Sequence, residues 1–99
     1  MPTDIPRLQA ALTSEDSSER EDAVDALGES RRLEAVSPLS MALEDADEDV
    51  REAAVDDLAS IGGETAIGLL EQALADEDES VRETAADILA ELTAAKDRG

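Results

Sequence analysis

An all-α fold is what this sequence predicts, an α-solenoid of three two-helix units stacked in register, and three observations carry that expectation. The first is self-similarity. Pairing each residue from Ser40 to Ser60 with the one 31 positions later gives twelve identities in 21 pairs. Ala42/Ala73, Leu43/Leu74, Asp45/Asp76, Val50/Val81, Arg51/Arg82, Ala54/Ala85 and Leu58/Leu89 are among them. The second is that the same ruler spans the chain. Ile5, Val36 and Ile67 align, as do Leu8, Leu39 and Leu70, Arg20, Arg51 and Arg82, and Leu27, Leu58 and Leu89. Three 31-residue units, 3–33, 34–64 and 65–95, follow without an insertion and make one domain over 1–99. The third is that apolar residues inside each unit recur at spacings of three and four, one face of a 3.6-residue helix. A fixed period of this kind marks a stack whose units bury their apolar faces only against neighbours.

The elements follow in chain order, two per unit. Ile5, Leu8, Ala11 and Leu12 predict a helix over 4–12. Ser18 stands three residues before Glu21, the capping-box spacing, and opens a second over 18–30, with Gly28 in "GES" as its stop. Val36, Leu39, Ala42 and Leu43 place the third over 34–44. Asp49 can cap the fourth, 49–61, whose face is Val50, Ala54, Val55, Leu58 and Ile61 and whose end is Gly62-Gly63. Ile67, Leu70 and Leu74 give the fifth, 65–75. Ser80 with Glu83 opens the sixth, 80–95, which presents Val81, Ala85, Ile88, Leu89 and Leu92. Acids crowding each second-helix start also suit the positive end of the helix dipole.

Composition narrows the function. The 99 residues include no Phe, Trp, Tyr, Cys or His, so the core is built from Leu, Ile, Val, Met and Ala. Disulfides and thiolate chemistry are excluded. No apolar run reaches the roughly 18 residues a membrane span needs, and no leader pattern opens the chain, so a soluble, cytoplasmic protein is expected. Twenty-seven acids against eight bases give a net charge of −19, and seven of the bases are Arg. Disorder is unsupported, because 41% of residues are hydrophobic and periodic. The acids recur in every segment rather than on one patch. At multimolar salt the Debye length falls to roughly 3 Å and such a surface no longer repels itself. The composition resembles that of proteins from salt-loving archaea. Nucleic acid is repelled by this charge, and no partner membrane is expected.

Among repeat families, the tetratricopeptide pattern needs aromatic residues that are absent, and ankyrin's Thr-Pro-Leu-His turn is missing. The stretches "EAVSPLSMALEDADEDVREAAVDDLASIG" and "ETAIGLLEQALADEDESVRETAADILAEL" resemble the short HEAT-like repeats named after phycobilisome lyases. Their pattern is Ala-Val-x-x-Leu, an Ala-Leu or Leu-Leu pair, Asp-x-Asp-x-x-Val-Arg, then Ala-Leu-Gly and Ile-Gly. In that family the Asp and Arg form a hydrogen-bond ladder between units. The resemblance implies this part for Asp45 with Arg51 and for Asp76 with Arg82. The first unit departs from the pattern, with Ser14 for the Asp and Glu19 for the Val.

Chemistry has little to work with. No isolated carboxylate stands in an apolar context that would tune it for acid–base catalysis, and Lys96 falls in a tail after the last helix. Asp45, Asp47 and Asp49 mimic the opening of a calcium loop, but Val50 replaces the glycine at the sixth place and Asp56 the glutamate at the twelfth. No catalytic, metal or cofactor residue is assigned. The resemblance places partner contacts on the first helix of each unit, whose non-core positions include Ser37, Ser40, Met41, Glu44, Gly68, Glu71 and Gln72. Ile88 breaks the repeat, standing where Ala26 and Asp57 stand, and either folds inward or makes the last helix an interface, including a homodimer. The expectation is a non-catalytic protein–protein interaction or scaffold module of a salt-adapted cytoplasm. The alternative is an accessory subunit or chaperone-like partner of a modifying, lyase-type enzyme.

Overall fold

The computed structural model describes residues 5–98, with side chains as far as Ala94. Residues 3 and 4, where the first unit and first helix were expected to begin, lie outside the described residues. Six helices and no strand occur among the described residues: α1 (Ile5–Ala11), α2 (Ser17–Ser30), α3 (Val36–Ala42), α4 (Glu48–Ile61), α5 (Gly63–Ala73) and α6 (Glu79–Arg98). A 3₁₀ turn, Leu33–Ala35, leads into α3. The all-α solenoid is therefore what forms. Helices α1, α3 and α5 make one layer and α2, α4 and α6 the other, with α4 packed against α2, α3, α5 and α6.

The centre of the molecule is the middle unit. Leu39, Val50, Ala54, Val55 and Leu58 are fully buried, joined by Val24 and Leu27 from the first unit and Leu70, Val81 and Ala85 from the third. Burying an aliphatic side chain stabilises by about 1.5–3 kcal/mol, and without aromatics this interlock carries the core. No described helix is long and apolar enough to cross a membrane.

Three local expectations are corrected. Helices α2 and α4 are capped two residues earlier than expected. Asp16 and Asp47 are the N-caps, their carboxylates accepting the N–H of Ser18 and Asp49 at 2.8 Å each. An Asp one residue before the helix reaches the N–H of its second residue, so Ser18 and Asp49 donate where they were expected to accept. Helix α2 ends at Ser30 as expected, but what closes it is Arg31 in the left-handed conformation (φ 53°) rather than Gly28, which lies buried inside the helix. Helix α6 passes residue 95 and reaches Arg98, taking the backbone of Lys96 with it. Thr93-Ala94 stand there in place of Gly62-Gly63, whose φ values of 72° and 87° break α4 from α5.

Candidate functional site

Three places concentrate unusual chemistry: the arginine ladder, a groove between α3 and α5, and an acid pair between α2 and α4.

The ladder is built by the helix start of each second-layer helix. Arg20, Arg51 and Arg82 each sit four residues after the aspartate that precedes the helix and reach back to the turn before it. Their Nη1 atoms donate to the backbone carbonyls of Ser14 (2.7 Å), Asp45 (2.6 Å) and Asp76 (2.7 Å). The other nitrogens reach forward to the next unit. Arg20 Nε and Nη2 bind the two Asp45 oxygens at 2.9 and 3.2 Å. Arg51 Nε donates to Asp76 at 3.0 Å and its Nη2 to Asp78 at 2.5 Å. The side-chain pairing is thus shifted by one unit from the expected one. The carboxylates of Asp45 and Asp76 take Arg20 and Arg51 of the preceding unit, while the expected partners Arg51 and Arg82 keep the backbone carbonyls of the same two residues. The rung of the first unit forms as well, because what Arg20 needs at position 14 is a carbonyl, which any residue supplies. Ser14 also replaces the missing carboxylate inside the turn: its Oγ accepts the Asp16 N–H at 3.1 Å, as Asp45 Oδ1 accepts that of Asp47 at 2.9 Å.

Arg51 is only 6% exposed. Burial alone would lower its pKa, but the hydrogen bond it donates to Asp76 and the charges of Asp76, Asp78 and Glu77 more than offset this and raise it. These ties consume the acids that resembled a calcium loop. Asp45 is held by Arg20 and Asp47 caps α4. Among the described residues no group of three or more acids is arranged to hold a metal ion.

The groove runs along the first layer. One end, of about 500 Å³, is apolar, lined by Leu33, Val36, Ser37, Ser40, Thr65 and Leu69. The other, of about 330 Å³, is polar, with Ser40, Glu44, Gln72 and Asp76 around Leu43 and Leu69. Ser37, Ser40, Glu44 and Gln72 are brought together here. Met41 (56% exposed), Gly68 and Glu71 share the layer but do not line the groove. Leu33, 78% exposed, is the residue sequence reasoning missed, because it falls in the 3₁₀ turn outside any helical stripe. A large apolar residue in a turn, off the repeat's apolar register, was the available signal. Ile88 lies elsewhere: it is half-buried on α6 and packs with Leu89 and Leu92 against the core.

The acid pair explains Gly28. A Cβ there would stand 2.4 Å from the Cβ of Asp57, so α2 and α4 touch backbone to side chain at this point. Burial pushes the Asp57 carboxyl up to about 8, helped by a hydrogen bond with Asp25 and by the charges of Asp25, Asp56 and Glu29. As a carboxylate, Asp57 would leave its buried Oδ2 without a donor. Protonated, the carboxyl can donate to Asp25. Burial and the charges of Glu52 and Asp25 raise Asp56 too.

With this geometry in place, comparison with known proteins is informative. The family model that matches describes HEAT repeats, and the match covers residues 5–97. Comparison with curated proteins gives no match.

Proposed function

We propose, from the premise that the chain belongs to the HEAT-repeat family, that it is a non-catalytic protein-interaction module that docks its partner in the groove between α3 and α5. The observation that carries this reading is Leu33, a large apolar side chain 78% exposed at the apolar end of a groove whose other end is polar. A partner segment with an apolar stripe followed by a basic residue fits both ends, since Glu44 is exposed at the polar end. No acid in the groove has the environment of a catalytic group. Asp57, the one carboxyl pushed to about 8, lies between α2 and α4 in the other layer.

The test is co-purification from the native host in molar KCl with Leu33→Glu and Ser40→Glu variants alongside the unaltered chain. A partner held by the unaltered chain and lost by both variants supports the groove. A partner retained by both removes it. The acidic surface belongs to the same proposal, as an adaptation to a salt-rich interior. Its melting temperature should then climb steeply from low salt to molar KCl as repulsion among the excess acids is screened. A melting curve indifferent to KCl overturns that part.

A further inference from the structure

Among the described residues the third rung of the ladder is incomplete. Arg20 and Arg51 each spend one nitrogen on the carbonyl of their own turn and the rest on carboxylates of the following unit. Arg82 spends Nη1 on the Asp76 carbonyl in the same way. Among the described residues its Nε and Nη2 have no acceptor. The helix face below the fork is open in the same sense. Arg51, Val55 and Leu58 occupy one face of α4 at spacings of four and three, and Val55 and Leu58 are fully buried with α6 packed on their helix. Their repeat equivalents on α6 are Arg82, Ala86 and Leu89, of which Ala86 is exposed and Leu89 half-buried. Helix α6 does not turn into another unit here but continues straight to Arg98.

We propose that the outer face of α6 is a second docking surface, separate from the α3–α5 groove, and that its occupant is a helical hairpin of another polypeptide that opens with an Asp-x-Asp turn. The chemistry of the occupant is written twice in the molecule. Asp45 fills the fork of Arg20, and Asp76 with Asp78 fills that of Arg51. A carboxylate seated on Arg82 would complete the same two charge-assisted bonds over the same face. A second copy of this chain fits poorly. Its first unit offers Ser14 where the fork needs an aspartate. It also offers Asp22 at the repeat position of Thr84, whose hydroxyl donates to Glu52 at 2.8 Å. Asp22 would instead meet Glu83, the repeat equivalent of Glu52, acid against acid.

Those two mismatches supply the probe. Ser14→Asp turns residues 14–16 into Asp-Glu-Asp, the order of Asp76-Glu77-Asp78, and keeps the acceptor for the Asp16 N–H. Asp22→Thr restores the hydroxyl. A full-length chain carrying both changes, with Arg82→Gln to block its own fork, is mixed with the unaltered chain and followed by sedimentation velocity in molar KCl. A one-to-one complex is expected. It should weaken by about 30-fold or more when the receiving chain carries Arg82→Gln, the scale set by truncating one member of a desolvated charge pair. Arg82→Lys keeps the charge but not the fork, and it should weaken binding as well. Absence of a complex with the unaltered chain overturns the proposal, as does undiminished binding by both Arg82 variants. Self-association of the unaltered chain that Arg82→Lys abolishes would put a second copy in this place and overturn the choice of occupant.

Discussion

The two joints of the solenoid share one geometry and differ in chemistry. Where α2 meets α4, Arg20 grips the single carboxylate of Asp45, and more than two turns further along α2 a half-buried acid, Asp57, lies on the bare backbone of Gly28. Where α4 meets α6, Arg51 is the only charged residue buried among those described, and it holds two carboxylates and a carbonyl at once. Ile88 then takes the repeat position of Asp57, so no acid pair forms. The second joint centres on an ion pair, Arg51 with Asp76, that water barely reaches. The first depends on a proton and on the absence of a methyl group. One repeat sequence therefore yields joints that should fail under different perturbations.

The largest expected effect is at the second joint. Arg51→Ala leaves Asp76 and the Asp45 carbonyl without their buried donor and should cost about 3–5 kcal/mol, enough to unfold a domain this small at moderate temperature. Arg20→Ala removes a pair that is more open to solvent and should cost about 1–3 kcal/mol. Arg32→Ala, which breaks an exposed pair with Glu34, should stay within about 0.5 kcal/mol. Urea midpoints of the three variants in molar KCl check the order. Equal losses for Arg20 and Arg51 would mean that burial does not distinguish the joints.

Next comes Gly28→Ala, with a cost of about 2 kcal/mol, because α2 and α4 must separate to admit the methyl group. The nearest atom is the Cβ of Asp57 rather than its carboxyl. Adding Asp57→Ala should therefore fail to rescue the variant, and thermal melts of the single and double variants read this directly. Recovery in the double variant would show that the carboxyl, not the backbone approach, demands the glycine.

These two cases also show what the sequence carries and what it leaves out. The period, the helix count and the apolar faces were legible because each is a property of spacing along the chain. The ladder's residue types were legible too, through the resemblance. Their pairing was not, since a 31-residue period cannot say whether Asp45 answers to Arg51, six residues on, or to Arg20, 25 residues back. Nor could spacing reveal that Arg20 needs only a backbone carbonyl from Ser14. Gly28 looked like a helix stop because the reason for it, Asp57, lies on another helix. Leu33 was passed over because a turn residue has no periodic face to betray it.

The first joint should also respond to pH, in the unusual direction. The Asp57 carboxyl is raised in the folded state to about 8 from an ordinary value of 3.8. Between those values the folded chain holds a proton that the unfolded chain has released. The stability this gives is complete at acid pH below about 4 and is lost as pH climbs toward 8. Because the group is half open to solvent, the loss should be only about 1–2 kcal/mol. Melting temperature measured between pH 5 and pH 9 in molar KCl should fall by a few degrees in the unaltered chain. In Asp57→Asn, whose amide donates to Asp25 at every pH, the fall should be much smaller. A variant with the same slope as the unaltered chain would assign the titration to other acids.

The smallest effect lies in the chain between the joints. The turn from the second unit to the third breaks at Gly62 and Gly63, both at positive φ, where glycine meets no steric penalty. The turn from the first unit to the second asks the same of Arg31, at φ 53°. Holding a residue with a Cβ in the left-handed region costs about 1 kcal/mol. Arg31→Gly should recover that strain but give part of it back, because glycine is freer in the unfolded chain. The net expectation is a gain of about 0.5 kcal/mol, seen as a slightly higher urea midpoint in molar KCl, where loss of one positive charge is screened. A lower midpoint would mean that the Arg31 side chain holds the first joint together more than its backbone strains it, and the two turns would then differ in kind.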